Sequence, residues 1–242
     1  MPSATVKGSF TALTQEFAFD AVLLDFDGTI LDTTPAVVNF WHSIAADLGV
    51  DAETVLTTSH GRRTIDTLAL YDSNKANWDY VTAMESRIPT EFSIGATVAE
   101  VPGSRHLLTE LQNADARWGI VTSGTQALIS GWITRLSFVR PRVFVTAEDV
   151  QTGKPDPQGY LLGQHRLGLG ADKSQILVIE DAPAGIRAGK AAGFRVLAVC
   201  TSHSSEQLIS AGPDWIVDDL RTLRVTSVEA DVVNVEIRGA FV

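Results

Sequence analysis

The chain is short of cysteine, of basic residues and of long apolar runs, and each shortage closes off a class of protein. A single cysteine, Cys200, permits no internal disulfide, so the expected setting is reducing and cytoplasmic. It ends the run Val196-Leu197-Ala198-Val199-Cys200, where the expected role is a small buried hydrophobe, and no histidine motif accompanies it as a catalytic thiol would need. Lysine and arginine total 19 against 29 aspartates and glutamates, a formal net charge of −10. Such a surface repels nucleic acid and anionic membrane, so neither is expected as a partner. No apolar stretch approaches the roughly 18 residues of a membrane span. Met1 to Asp20 holds Lys7 as its one basic residue, so neither signal nor transit peptide is expected.

What remains is ordinary globular material. The 242 residues, 45% of them hydrophobic, suffice for one generous domain or one domain carrying an insertion, with a core that needs no disulfide or structural zinc. Short apolar runs at Ala21–Leu24, Trp118–Val121, Val143–Val145, 176–179, 196–199 and Trp215–Val217 are nearly continuous, as in parallel strands buried on both faces. The later gaps fit crossover helices, so the expected fold is α/β with a doubly wound, mainly parallel sheet. Residues 183–193 illustrate one such helix, with Pro183 in its first turn and Gly193 where a left-handed cap belongs.

One gap is several times too long for a crossover, from Leu24 to Trp118. Thr34-Pro35 reads there as a helix start, followed by Val38, Trp41, Ala45 and Leu48 at helical spacing, with further helices expected near Arg63 and Trp78. The expectation is a small helical cap at residues 33–98, with Gly103 marking the return to a core formed by 19–32 and 99–242. Residues 1–18 are set apart as an N-terminal extension. The tail alternates at Val233, Val235 and Ile237, which predicts a strand or hairpin.

Chemistry-bearing residues fall at the strand ends. Leu24-Asp25-Phe26-Asp27-Gly28 sets two carboxylates on one side of an extended segment, at the sheet edge where such folds bind ligands. Like charges so close raise each other's proton affinity unless a cation intervenes. The pair suits a division of labour between an ionised nucleophile and a proton carrier. A calcium loop is excluded, because Ile30 and Ala36 stand where its glycine and glutamate belong. Thr122-Ser123-Gly124 ends the next strand with hydroxyls and free N–H groups that suit phosphate oxygens, although such residues also serve as plain helix caps. Gly119 and Gly124 mimic a P-loop spacing, yet Thr125 and Gln126 stand in place of its Lys-Ser/Thr. Lys154 is held between Gly153 and Pro155 in a stiff loop, either as a surface lysine or as an ammonium that neutralises phosphate. Glu180-Asp181 adds two acids at a fourth strand end, before the Pro183 helix they could simply cap. Four carboxylates converging in an already acidic chain call for a hard dication with oxygen ligands, and Mg²⁺ suits best.

This ordered set resembles the haloacid dehalogenase-like superfamily over residues 19–219. The resemblance implies Asp25 as nucleophile and Asp27 as general acid/base, with Thr122 and Lys154 on the phosphoryl group. It also implies Mg²⁺ held by Asp25, the Asp27 backbone carbonyl and Asp181, with Glu180 at or near the ion. Ser59-His60-Gly61-Arg62-Arg63-Thr64, Thr122-Ser123-Gly124-Thr125, Arg140-Pro141 and residues 180–193 are similar to a narrower group, the glycerol-phosphate and 2-deoxyglucose-6-phosphate phosphatases. Arg62 departs from that group's uncharged side chain. The implied activity is Mg²⁺-dependent hydrolysis of a small polyol or sugar phosphate through a phospho-aspartyl intermediate, by a monomer. Ser123 is expected beside Thr122 on the substrate, Arg63 to reach it from the cap, and His60 to make a structural hydrogen bond. The competing readings are a phosphosugar mutase of the same fold, a phosphatase for a specialised biosynthetic ester, and a catalytically silent binding module.

Overall fold

The computed structural model describes residues 14–59, 61–170 and 175–240, so the expectation for His60 lies outside the described residues. It opens with strands β1 (Gln15–Phe19), β2 (Ala21–Leu24) and β3 (Leu31–Asp32). Helices α1 (Thr34–Leu48), α2 (Ala52–Ser59), α3 (Thr64–Leu68) and α4 (Trp78–Glu85) follow, then a turn of π-helix at Ile88–Phe92, before strand β4 (Ala99–Glu100). Next come α5 (Ser104–Asn113), β5 (Trp118–Val121), α6 (Gln126–Leu136), β6 (Val143–Val145) and α7 (Gln158–Arg166). The chain continues through β7 (Ile176–Glu180), α8 (Pro183–Ala191), β8 (Arg195–Val199), α9 (Ser205–Ile209) and β9 (Trp215–Val217), then β10 (Leu223–Glu229) and β11 (Val232–Ile237).

Six strands pair in the order β6-β5-β2-β7-β8-β9, all parallel. The continuous apolar runs have their physical reason here: every residue of β2, β5 and β7 is buried, because helices cover both faces of a parallel sheet. The chain fills one side of β2 with β5 and β6, then turns to the other side with β7, β8 and β9. The strand order therefore reverses between β2 and β7, where Leu24 lies opposite Ile179. Beyond the carboxyl ends of those two strands a crevice opens, and Asp25 and Asp181 stand at its lips.

The long gap carries α1 to α5 and the π-helical turn among its described residues. Its two ends are tied by the antiparallel pair β3–β4, with Leu31 opposite Glu100. Helix α1 starts one residue earlier in its cap than Thr34-Pro35 suggests: Thr33 is the N-cap, yet its hydroxyl makes no capping bond. That hydroxyl donates to Asp27 at 2.7 Å, and the carboxylate of Asp32 accepts from the Thr34 N–H at 3.1 Å instead. The helix end thus gives up its usual cap to hold a site carboxyl. Gly103 is less a hinge than a close approach, since a Cβ there would lie 2.4 Å from the backbone of Leu220.

The tail forms the expected hairpin, β10 against β11, with Val233, Val235 and Ile237 buried. Gln15–Phe19, which runs up to the boundary drawn at residue 19, completes a three-stranded antiparallel sheet by pairing with β11 from Gln15 opposite Ile237 to Phe19 opposite Val233. No helix among the described residues is long and apolar enough to cross a membrane.

Candidate active site

At the end of β2 the backbone stays extended for one more residue, and the Asp25 N–H donates to the Ile179 carbonyl at 3.0 Å. That bond fixes Asp25 against β7. Gly28, at φ +83°, then turns the chain back, and a Cβ on it would lie 2.0 Å from Oδ2 of Asp181. Only glycine lets that carboxylate approach the turn.

Asp25 is 6% exposed and lies within hydrogen-bond reach of Lys154. The Lys154 ammonium donates to Asp25 Oδ1 at 2.5 Å, to Glu180 Oε1 at 2.6 Å and to the Val121 carbonyl at 3.1 Å. Glu180 also accepts from the Tyr160 hydroxyl at 2.9 Å and from the N–H groups of Asp181 at 2.9 Å and Ala182 at 3.1 Å. Its carboxylate folds so closely over the start of α8 that a Cβ at Gly185 would meet Oε1 at 1.6 Å. Asp181 accepts from the Ser202 hydroxyl and, at 3.4 Å, from that of Thr29. Thr122 is buried, with its Oγ accepting from the Gly124 N–H at 3.0 Å, while the Ser123 hydroxyl donates to the Gly61 carbonyl at 2.9 Å.

Charge in this cluster is unbalanced. Burial raises Asp25 well above the usual carboxylate range; Lys154 pulls it down, but Glu180 and Asp181 push it up again. Burial, reinforced by Glu180, raises Asp181 too. For Lys154 burial works against the ammonium, and the carboxylates of Asp25 and Glu180 outweigh it, so its pKa rises. One ammonium among three buried acids leaves a deficit of positive charge. Asp25, Glu180 and Asp181 each offer a carboxylate oxygen, and these oxygens lie within 4.8 Å of one another. An all-oxygen donor set of this charge fits a hard divalent cation. The Asp27 carboxylate stands outside that group, bonded to Thr33; burial lifts it to about 6 against the pull of the hydroxyl.

Above these groups lies a pocket walled by Asp25, Asp27, Thr122 and Ser123 from the sheet edge and by Phe40, Trp41, Arg62 and Glu85 from the helical insertion. The structure thus brings together Asp25, Asp27, Thr122, Ser123, Lys154, Glu180 and Asp181, with Lys154 beneath the floor and only 8% exposed. It does not bring Arg63 to the pocket wall. All five guanidinium N–H groups of Arg63 are used elsewhere, on Asp66 and on the carbonyls of Ala147, Val150 and Gln151. Its neighbour Arg62 lines the pocket and is exposed.

Three participants escaped the sequence reading. Glu85, at the end of α4 and 2% exposed, accepts from the Thr125 N–H at 2.7 Å, and burial raises it to about 7. Tyr160 and Ser202 hold Glu180 and Asp181. Ser202 carried a readable signal, a hydroxyl just past a strand end; Glu85 carried none. Cys200 is half-buried, and burial pushes its thiol up to about 11, which disfavours the thiolate a nucleophile needs.

Acid pair, hydroxyl turn, lysine and second acid pair stand around one crevice at the carboxyl edge of an α/β sheet. The family described as haloacid dehalogenase-like hydrolase matches residues 22–199, and the chain belongs to it. It is 39% identical over 224 residues to glycerol-1-phosphate phosphohydrolase 2 of Saccharomyces cerevisiae, covering 90% of this chain and 89% of that one. To 2-deoxyglucose-6-phosphate phosphatase 1 of the same organism it is 36% identical over 227 residues, covering 87% and 92%. Among solved structures, a putative beta-phosphoglucomutase from Bacteroides vulgatus superposes with a TM-score of 0.67 at 27% identity, covering 84% of each chain. The enzyme class read from the sequence, a phosphatase of this family, is the class its curated relatives carry.

Proposed function

We propose that the protein hydrolyses the phosphate monoester of a small polyol or sugar, with Asp25 forming a phospho-aspartyl intermediate. The observation that carries this reading is Asp25 on the pocket floor, 2.5 Å from the Lys154 ammonium and flanked by Asp27, whose proton affinity is raised to about 6. In the first step an Asp25 oxygen attacks phosphorus in line. The bond to the leaving oxygen breaks, and protonated Asp27 hands its proton to the departing alkoxide. In the second step Asp27 takes a proton from water as that water attacks the acyl phosphate, which frees Asp25 and orthophosphate. A carboxyl near 6 serves both directions at neutral pH. Asp25, Asp181 and Glu180, with the Asp27 carbonyl, would hold Mg²⁺, which supplies positive charge against the phosphoryl oxygens. Thr122 and Lys154 orient the phosphoryl group, and Ser123 bounds it where the 122–125 turn meets the insertion. Residues 33–98 act as a cap that keeps bulk water from the acyl phosphate.

The polyol or sugar assignment draws on the relatives named above, and on a pocket whose cap wall pairs aromatic Phe40 and Trp41 with polar Arg62 and Glu85. Orthophosphate release from glycerol 1-phosphate and 2-deoxyglucose 6-phosphate, with and without excess chelator, tests it. Release unaffected by chelator overturns the metal assignment. An isomerised sugar phosphate with no free phosphate marks a mutase instead.

A further inference from the structure

We propose that Arg63 is a positioning residue that sets Lys154 from across the pocket, by gripping the loop that carries the lysine. Arg63 is the N-cap of α3, is 5% exposed and belongs to the helical insertion. Its Nε and one Nη2 hydrogen clamp Asp66 at 2.7 Å each, which fixes the plane of the guanidinium. The remaining three N–H groups leave the insertion altogether. They donate to the carbonyls of Ala147 at 3.3 Å, Val150 at 2.7 Å and Gln151 at 2.9 Å, all in the segment between β6 and α7.

The opposite side of that segment is held by Gln158, whose Oε1 accepts from the N–H groups of Gln151 at 2.8 Å and Thr152 at 2.9 Å. Carbonyls on one side and amides on the other leave the loop little freedom. Gly153 then packs directly on the Arg63–Asp66 pair: a Cβ there would lie 2.8 Å from Arg63 Nε and 2.9 Å from Asp66 Oδ2. The next residue is Lys154. Its ammonium sits between Asp25 and Glu180 only if the loop is seated where Arg63 holds it. Without the guanidinium, three carbonyls lose donors at once, at the root of the loop that carries Lys154. Lysine at position 63 could not replace this, having three donors on a point charge rather than a planar fork of five.

The proposal rests on the reading of Lys154 as the phosphoryl-binding ammonium, so its test has one readout that ignores turnover. Lys154 in the intact protein is buried; acylation by an amine-reactive reagent, mapped by peptide mass spectrometry, reports whether it stays seated. In Arg63→Ala and Arg63→Lys alike, labelling of Lys154 rises about tenfold or more while that of exposed Lys190 is unchanged. With glycerol 1-phosphate, kcat falls about a hundredfold and KM moves less than about threefold, as expected of a displacement on the order of 1 Å at a catalytic group. Gly153→Ala, which keeps every side chain and pushes the pair apart from the loop, gives the same signs at smaller size and guards against loss of folding in the arginine variants. Unchanged Lys154 labelling in all three overturns the proposal, whether or not the protein releases phosphate. So does a rise in KM at constant kcat, which would mark Arg63 as a substrate contact. Exposure of Lys154 in a protein that hydrolyses no phosphate ester supports the positioning role and defeats the functional reading instead.

Discussion

The two walls of the pocket are tied together in different ways. Along the sheet edge, charged and polar side chains bond chiefly to one another: Lys154 to Asp25 and Glu180, Tyr160 to Glu180, Ser202 to Asp181. From α3 and α4 of the insertion, polar side chains reach across to backbone: Arg63 to the carbonyls of Ala147, Val150 and Gln151, and Glu85 to the Thr125 N–H. One wall is a charge network, whose members alter each other's proton affinity. The other is a set of struts that hold the loops behind the network. The first determines what chemistry occurs, and the second where its groups stand.

The sharpest way to separate the walls is to remove charge from the first. Asp25→Asn keeps shape and removes the proposed nucleophile; turnover should fall by a factor on the order of 10⁴ or more, and no acyl phosphate should be trapped by rapid acid quench. Appreciable residual release of orthophosphate would take Asp25 out of that role. Next in size come Lys154→Ala and Asp181→Ala, each expected to cost about 10²- to 10³-fold in kcat. They differ in a second measurement: Asp181→Ala should raise the Mg²⁺ concentration needed for half-maximal rate, whereas Lys154→Ala should leave that requirement in place.

How far each wall could be read in advance follows from the same contrast. Parallel strands bring residues distant in the chain to one edge, so Asp25, Thr122 and Asp181 announce themselves as reactive types just past successive strands, and Lys154 in the loop that follows β6. A strut has no such signature, because its partner is a carbonyl or N–H that every residue carries. Glu85 in Met84-Glu85-Ser86-Arg87 looks like any solvated helix acid, and only the fold shows it buried against Thr125. Arg63 was visible as a cap arginine, but not the loop it grips. Similarly, alternation in the tail was enough to expect a hairpin, while its pairing with Gln15–Phe19 depends on residues more than two hundred positions away.

Glu85 allows the smallest but cleanest test of the strut wall, because its charge has a cost that depends on pH. Burial raises its carboxyl from an ordinary 4.5 to about 7, a difference of roughly 3 kcal/mol between its two protonation states. Below about 4.5 the group is protonated in folded and unfolded chains alike and contributes nothing. Between 4.5 and 7 the folded protein holds a proton that the unfolded chain releases, so stability falls as pH rises; above about 7 the whole penalty is present. Glu85→Gln keeps an oxygen to accept from the Thr125 N–H and abolishes the ionisation. The variant should therefore gain thermal stability relative to the parent as pH climbs from 4.5 to 7 and hold that gain above it. Contributions from Asp25 and Asp181, which are also raised, cancel in the comparison, while Asp27, whose charge helps to raise Glu85, is relieved in the variant and adds to its gain. Parallel stability curves for the two proteins would show that Glu85 is not the buried, charge-penalised link to the 122–125 turn that its position beside Thr125 indicates.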